Sequence, residues 1–116
     1  MNSENLPIFK SALALAVYME KIEKGFEKYS KYTIGVDLRE KSKNILYLIN
    51  RANLSNNKKE AITNLRDGCE DMKMLIQLCK ELQAFKSFKQ FEYSSMLVVG
   101  VCKQAQGWLG VQRVSI

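Results

Sequence analysis

Four apolar stripes at helical spacing, separated by short polar breaks, constrain this chain more than any other feature. In the first, Ile8, Ala12, Leu15, Met19, Ile22 and Phe26 recur every three or four residues. That period places side chains on one face of an α-helix. Leu38, Ile45, Ile49 and Ala52, with Leu48 beside them, form the second stripe. Ala61, Leu65, Cys69, Met72, Leu75, Cys79 and Leu82 form the third. Phe91, Ser95, Val98, Cys102, Ala105 and Leu109 form the fourth. A single Pro and six Gly in 116 residues leave few helix breakers. The spacing predicts helices over about residues 7–28, 33–53, 58–85 and 88–109.

Local signals agree with these bounds. Pro7 suits a first turn, where its missing N–H costs nothing. Gly25 weakens the end of the first helix, and residues 29–32 read as a polar, aromatic connection. Thr33 is placed to cap the second helix, with Asp37 in its first turn. Asn57 with Glu60 and Ser87 with Gln90 read as capping boxes for the third and fourth. Gly110 fits just past the last helix as a C′ residue. Connections this short force neighbouring helices to run antiparallel. The expected fold is all-α, a single antiparallel up-down-up-down four-helix bundle over residues 1–116. Helices of roughly 21 residues would be about 31 Å long.

Eighteen Lys and Arg face twelve Asp and Glu, a net charge of +6. A basic bundle of this size favours an anionic partner, or else is simply soluble. Cys69, Cys79 and Cys102 are odd in number, lack a CxxC and fall on apolar stripes. They read as reduced, buried thiols of a cytoplasmic protein. The opening MNSENLP is polar and does not resemble a signal peptide. The longest apolar runs, residues 12–19 and 96–102, are too short to span a membrane, so no membrane partner is expected.

Several catalytic designs are excluded or disfavoured. The chain has no His, which removes the commonest general base and metal ligand. Its cysteines lack zinc-site spacing, and it has neither a GxxxxGK[ST] loop nor a GxGxxG. Glu70 and Asp71 are adjacent, so on a helix they diverge. Some helical-bundle nucleases of prokaryotic defence use an Arg-rich motif ending in His, which is missing here. No catalytic residue, metal or cofactor is expected.

The candidate binding residues are basic. Lys59, Arg66, Lys73 and Lys80 recur every seven residues on the third segment. That is nearly two helical turns, so they form one slowly drifting stripe about 30 Å long. Phosphates are attracted to such a row without any sequence being read. Arg39, Lys43 and Arg51, with Tyr47 among them, form a companion row. The alternative is an ordinary wet face, which the nearby Asp67 and Glu70 favour. Phe85, Lys86, Phe88, Lys89 and Phe91 interleave aromatics with lysines and could stack bases. The reading preferred from sequence is that these rings pin a helix turn to the core. Residues 96–102 are apolar on nearly every side, more than one buried stripe requires. Leu97, Val99, Val101 and Trp108 are therefore the candidate oligomer interface, with Leu13 and Val17 as a milder echo on the first helix.

Leu6-Pro7, Phe26, Lys31-Tyr32, Ile34-Gly35, Leu38-Arg39 and Gly107-Trp108-Leu109 resemble a bacterial four-helix-bundle family. It comprises the proteins of 23S rRNA intervening sequences and the accessory variability determinant (Avd) proteins of diversity-generating retroelements. The resemblance covers almost the whole chain through short motifs. The intervening-sequence branch carries Ser-Ile-Pro-x-Asn-Ile-Ala-Glu-Gly in its second helix. Here the corresponding stretch, residues 44–53, reads NILYLINRAN, which favours the retroelement branch. The resemblance implies a barrel-shaped homopentamer with a basic surface and no catalysis of its own. It also implies binding to a reverse transcriptase and to its RNA template or complementary DNA, in support of mutagenic reverse transcription. The alternatives are a general RNA-binding protein of the rRNA intervening-sequence type and a protein-only helical adaptor.

Overall fold

The computed structural model describes residues 2–114, and these form helices with no strand among them. After a 3-10 turn at Ser3–Asn5, α1 spans Pro7–Glu23 and α2 is a single turn at Lys28–Lys31. The remaining helices are α3 (Ile34–Leu54), α4 (Lys58–Glu81) and α5 (Phe88–Val114). α1 packs on α3 and α5, and α4 packs on the same two helices. The four long helices thus make a square, with α1 and α4 on one diagonal. The molecule measures 49 × 21 × 19 Å. Each long helix buries one stripe against the others, which is the up-down-up-down bundle that the apolar spacing predicts.

The whole expected stripe of α1 through Phe26 is buried, as are Leu38, Ile45, Ile49 and Ala52 of α3. On α4, Leu65, Cys69, Met72 and Cys79 are buried, Ala61 and Leu75 are half-buried, and Leu82 just past the helix is exposed. Ile62 and Ile76, one residue off the expected stripe, complete that face. On α5, Val98, Cys102, Ala105 and Leu109 are buried, whereas Phe91 and Ser95 are half-buried. Ser94 and Val101 sit inside instead. A strict three-four spacing drifts around a straight helix, so the buried face migrates along 24- and 27-residue helices. The buried Ser94 hydroxyl donates to the Gln90 carbonyl at 2.6 Å, leaving no orphan.

The helix ends are where sequence reading errs. α1 stops at Glu23, not near residue 28, and the expected connection contains α2. The Gly25 and Phe26 N–H groups bond back to the Ile22 and Glu23 carbonyls, each at 3.0 Å. Thr33 precedes α3 without capping it; its hydroxyl donates backwards to the Tyr29 carbonyl at 2.8 Å. α4 stops at Glu81, not near residue 85. There Gln83 adopts a φ of 57°. The Gln83 N–H bonds the Lys80 carbonyl at 2.9 Å and the Ala84 N–H bonds that of Cys79 at 3.1 Å. This is a Schellman ending built on Gln, so no glycine flags it. α5 continues through Gly110 to Val114, so Gly110 is not a C′ residue.

Only the forward bond of each expected capping box forms among the described residues; the Asn57 N–H goes instead to Ser55 Oγ at 3.0 Å. Asn57 Oδ1 accepts from the Glu60 N–H at 3.2 Å, and Ser87 Oγ accepts from the Gln90 N–H at 3.3 Å. Gln90 Oε1 in turn accepts from the Lys86 N–H at 2.9 Å. Lys58 Nζ donates to the carbonyls of Ala52, Asn53 and Ser55 at 3.2, 2.8 and 3.3 Å, closing the C-terminus of α3. The antiparallel order has one consequence for the surface. The α1–α3 and α4–α5 connections share one end of the bundle, and the α3–α4 connection lies at the other.

Candidate nucleic-acid interface

The expected row on α4 is there, but acids accompany it. Arg66 lies 3.3 Å from Asp67, Lys73 lies 3.3 Å from Glu70, and Lys80 lies 3.7 Å from Glu81. Lys80 also sits 5.0 Å above the Phe91 ring, a cation–π distance. Of the four, only Lys59 has no ion pair among the described residues. The companion row on α3 divides similarly. Arg39 reaches Glu23 at 3.5 Å and Glu20 at 4.0 Å, and Lys43 reaches Glu20 at 3.6 Å. Arg51 has no ion pair among the described residues. Surface pairs of this kind add little stability, but each cancels field that a phosphate would otherwise feel.

Glu23 is the one buried acid among the described residues, 4% exposed. Gly35 makes room for it: a Cβ there would stand 2.9 Å from Glu23 Cγ and 3.1 Å from the Ser30 carbonyl oxygen. The Arg39–Glu23 pair therefore ties the start of α3 to the end of α1, a structural use of a residue that sequence spacing assigned to binding.

The end formed by the α1–α3 and α4–α5 connections has a different character. Lys24, Lys28, Lys31, Lys86 and Lys89 lie on or beside these connections, with Glu27 the one acid among residues 24–33 and 82–89. Among the described residues, none of these five lysines has a carboxylate within ion-pair distance. Packing joins the two connections. Lys86 runs over Gly25, where a Cβ would lie 3.8 Å from Lys86 Cε. The Phe26 and Phe85 rings meet edge to face at 5.9 Å, and Phe85 continues to Phe91 at 6.2 Å. Phe88 stacks obliquely on Phe91 at 5.6 Å.

Within that ring cluster, Phe85 and Phe91 are half-buried and pin the turn as expected. Phe88 does not: it is 61% exposed. Tyr29 and Tyr32 are 79% and 65% exposed and line a shallow groove with Glu27, Lys28 and Thr33. Phe88 lines a second groove with Lys80, Gln83, Phe85, Ser87 and Phe91. This end was not among the residues the basic stripes nominate. Its signal was nonetheless present, because two connections separated by two long helices must fall at the same end of a bundle.

The candidate oligomer surface also needs correction. Val101 is fully buried in the bundle's own core, so it cannot face a second subunit. Leu97 and Val99 are half-buried. Trp108 is half-buried too and packs on Ala52, Ile62 and Leu109 near the opposite end of the bundle. The large apolar side chains that do point outward on α1 and α5 include Leu13, Val17 and Met96. The two helices are joined through Gln104 Nε2, which donates to Ser11 Oγ at 2.8 Å, and through Tyr18 and Tyr93, edge to face at 4.7 Å.

The three cysteines are free and buried. Cys69 and Cys102 share a hydrogen bond, which raises the first thiol and lowers the second. Burial pushes Cys79 up to about 12, so it stays protonated and unreactive at neutral pH. Among the described residues no cluster of His, Cys, Asp or Glu could hold a metal ion. No helix among them is long and apolar enough to cross a membrane. Comparisons with protein-family models, with curated proteins and with solved structures give no match.

Proposed function

We propose that this chain is a non-catalytic accessory protein of a diversity-generating retroelement. It acts in the cytoplasm as a homo-oligomer, binding the reverse transcriptase and its RNA template or complementary DNA. The polymerase supplies the chemistry, and this protein supplies a positively charged surface. The observation that carries the nucleic-acid part is the set of lysines at one bundle end with no acid in ion-pair distance among the described residues. A patch in which five lysines face one acid attracts phosphate at longer range than a row of ion pairs does. The retroelement context rests on the motif resemblance. The oligomer part, a pentamer by that resemblance, is supported by the outward Leu13, Val17 and Met96 with half-buried Leu97 and Val99 beside them.

Copurification with a retroelement reverse transcriptase, followed by anisotropy titration of its template RNA at two salt concentrations, tests this reading. The expected result is a stable complex and binding that weakens steeply with salt. Light scattering should return a multiple of the 13.3 kDa chain mass. A monomer that ignores both the enzyme and nucleic acid would overturn the proposal.

A further inference from the structure

The bundle end formed by the α1–α3 and α4–α5 connections carries more than charge. Its exposed rings have no folding role that accounts for their exposure. Tyr29 and Tyr32 leave most of their surface in solvent, and Phe88 touches Phe91 yet keeps 61% of its own surface open. Large rings are normally buried because burial stabilises them. Here they are held outward on short, well-anchored turns. α2 is bonded at both ends, through Lys31 N–H to the Glu27 carbonyl at 2.8 Å and Thr33 N–H to that of Ser30 at 3.3 Å. Phe88 opens α5 directly behind the Ser87–Gln90 cap. Each ring has lysine neighbours: Lys28 and Lys31 flank Tyr29 and Tyr32, and Lys86 and Lys89 flank Phe88.

We propose that this end is a site selective for single-stranded nucleic acid. Unpaired bases stack on Tyr29, Tyr32 and Phe88, while Lys24, Lys28, Lys86 and Lys89 hold the flanking phosphates. The inference deepens the nucleic-acid reading above and rests on it. The physical reason for single strands is that a duplex hides the faces of its bases, and only an unpaired strand offers them for stacking. The reason for nucleic acid over a lipid surface is the shape of the patch. Within the two connections Leu82 is the one exposed large aliphatic side chain, so there is little to insert into acyl chains. Two ring-lined grooves bridged by the contacts of Lys86 with Gly25 and of Phe85 with Phe26 suit a strand laid across the end.

The experiment is anisotropy titration of the full chain with a labelled single-stranded oligonucleotide, as RNA and as DNA, and with the duplex of the same sequence. Anionic phosphatidylserine vesicles form a parallel arm. Variants are Tyr29→Ala, Tyr32→Ala and Phe88→Ala, each checked for helicity, with Tyr29→Phe and Tyr32→Phe as controls that keep the ring. The expected result is single-strand binding at least tenfold tighter than duplex. Each Ala variant should lose about tenfold, and each Phe variant should bind like the wild type. If the wild type binds single strands and the Ala variants bind equally well, this site is wrong while the nucleic-acid reading stands. Equal affinity for duplex, or a preference for the vesicles, also overturns it. No binding to any nucleic acid at low salt overturns the reading and this site together.

Discussion

The α4 row and the connection end are both lysine-rich, yet they are physically different surfaces. Along α4 the basic residues sit at regular spacing, and acids one or three residues away pair with three of the four. At the connection end the lysines follow no single stripe and have no such partners among the described residues. Regular spacing shows that residues share a face. It says nothing about whether their charge survives the neighbours. A helix interleaves acids and bases on adjacent turns as a matter of course, whereas a turn with a single acid has nothing to neutralise it.

The largest expected effect tests this difference directly. Changing Lys24, Lys28, Lys86 and Lys89 together to Gln should weaken single-strand binding by roughly fiftyfold at moderate salt. The salt slope should fall by about 0.7 for each phosphate contact removed. The same change at Lys59, Arg66 and Lys73, which line neither groove, should cost less than about threefold, because moderate salt screens charge removed that far from the bound strand. Equal losses from the two sets would erase the distinction between the surfaces.

Next in size is the scaffold of the connection end. Gly35→Ala should destabilise the fold by about 1–3 kcal/mol in urea melts, because the new Cβ meets backbone at Ser30 and the Glu23 side chain together. Gly68→Ala, where the close neighbour is the tip of Leu48, should be near neutral by the same measurement. A Gly68→Ala variant as unstable as Gly35→Ala would show that the two contacts are equally rigid.

A smaller effect concerns Cys79, in the last turn of α4 beneath that end. Its folded pKa is raised to about 12 from an ordinary 9.0. Below about pH 9 both states hold the proton and the contribution is fully present. As pH rises from there towards 12, the unfolded chain ionises first and stability falls. The loss should be about 1 kcal/mol by pH 10. Comparing the urea midpoints of the wild type and Cys79→Ala at pH 8 and pH 10 isolates it: the variant should show a shallower decline. The smallest effect is at the Schellman turn. Gln83→Gly relieves a positive φ and should stabilise by about 0.5–1 kcal/mol in urea melts.

Much of the bundle was legible because burial follows a repeating period. Ile8 to Phe26 and Leu38 to Ala52 could be assigned to the core directly from their spacing. Legibility failed where several residues compete for one boundary. Gln83 ends α4 by a conformation its side chain does not advertise, and Thr33 turns its hydroxyl back to Tyr29 instead of forward to α3. Val101 looked like surplus apolar surface, but the drift of a long helix carried it into the core.

The candidate site was legible only in pieces. The lysines near residue 24, the tyrosines of α2 and the Phe88 segment are all visible in the chain, each with an ordinary reading of its own. The sequence by itself determined the four helices, their antiparallel order and hence that two connections share an end, because hydrophobic period and short loops leave few other solutions. Tertiary structure decided which cations keep their charge unopposed and which rings stay in solvent. Both depend on distances between side chains from separate helices, and no periodicity along one helix encodes those distances.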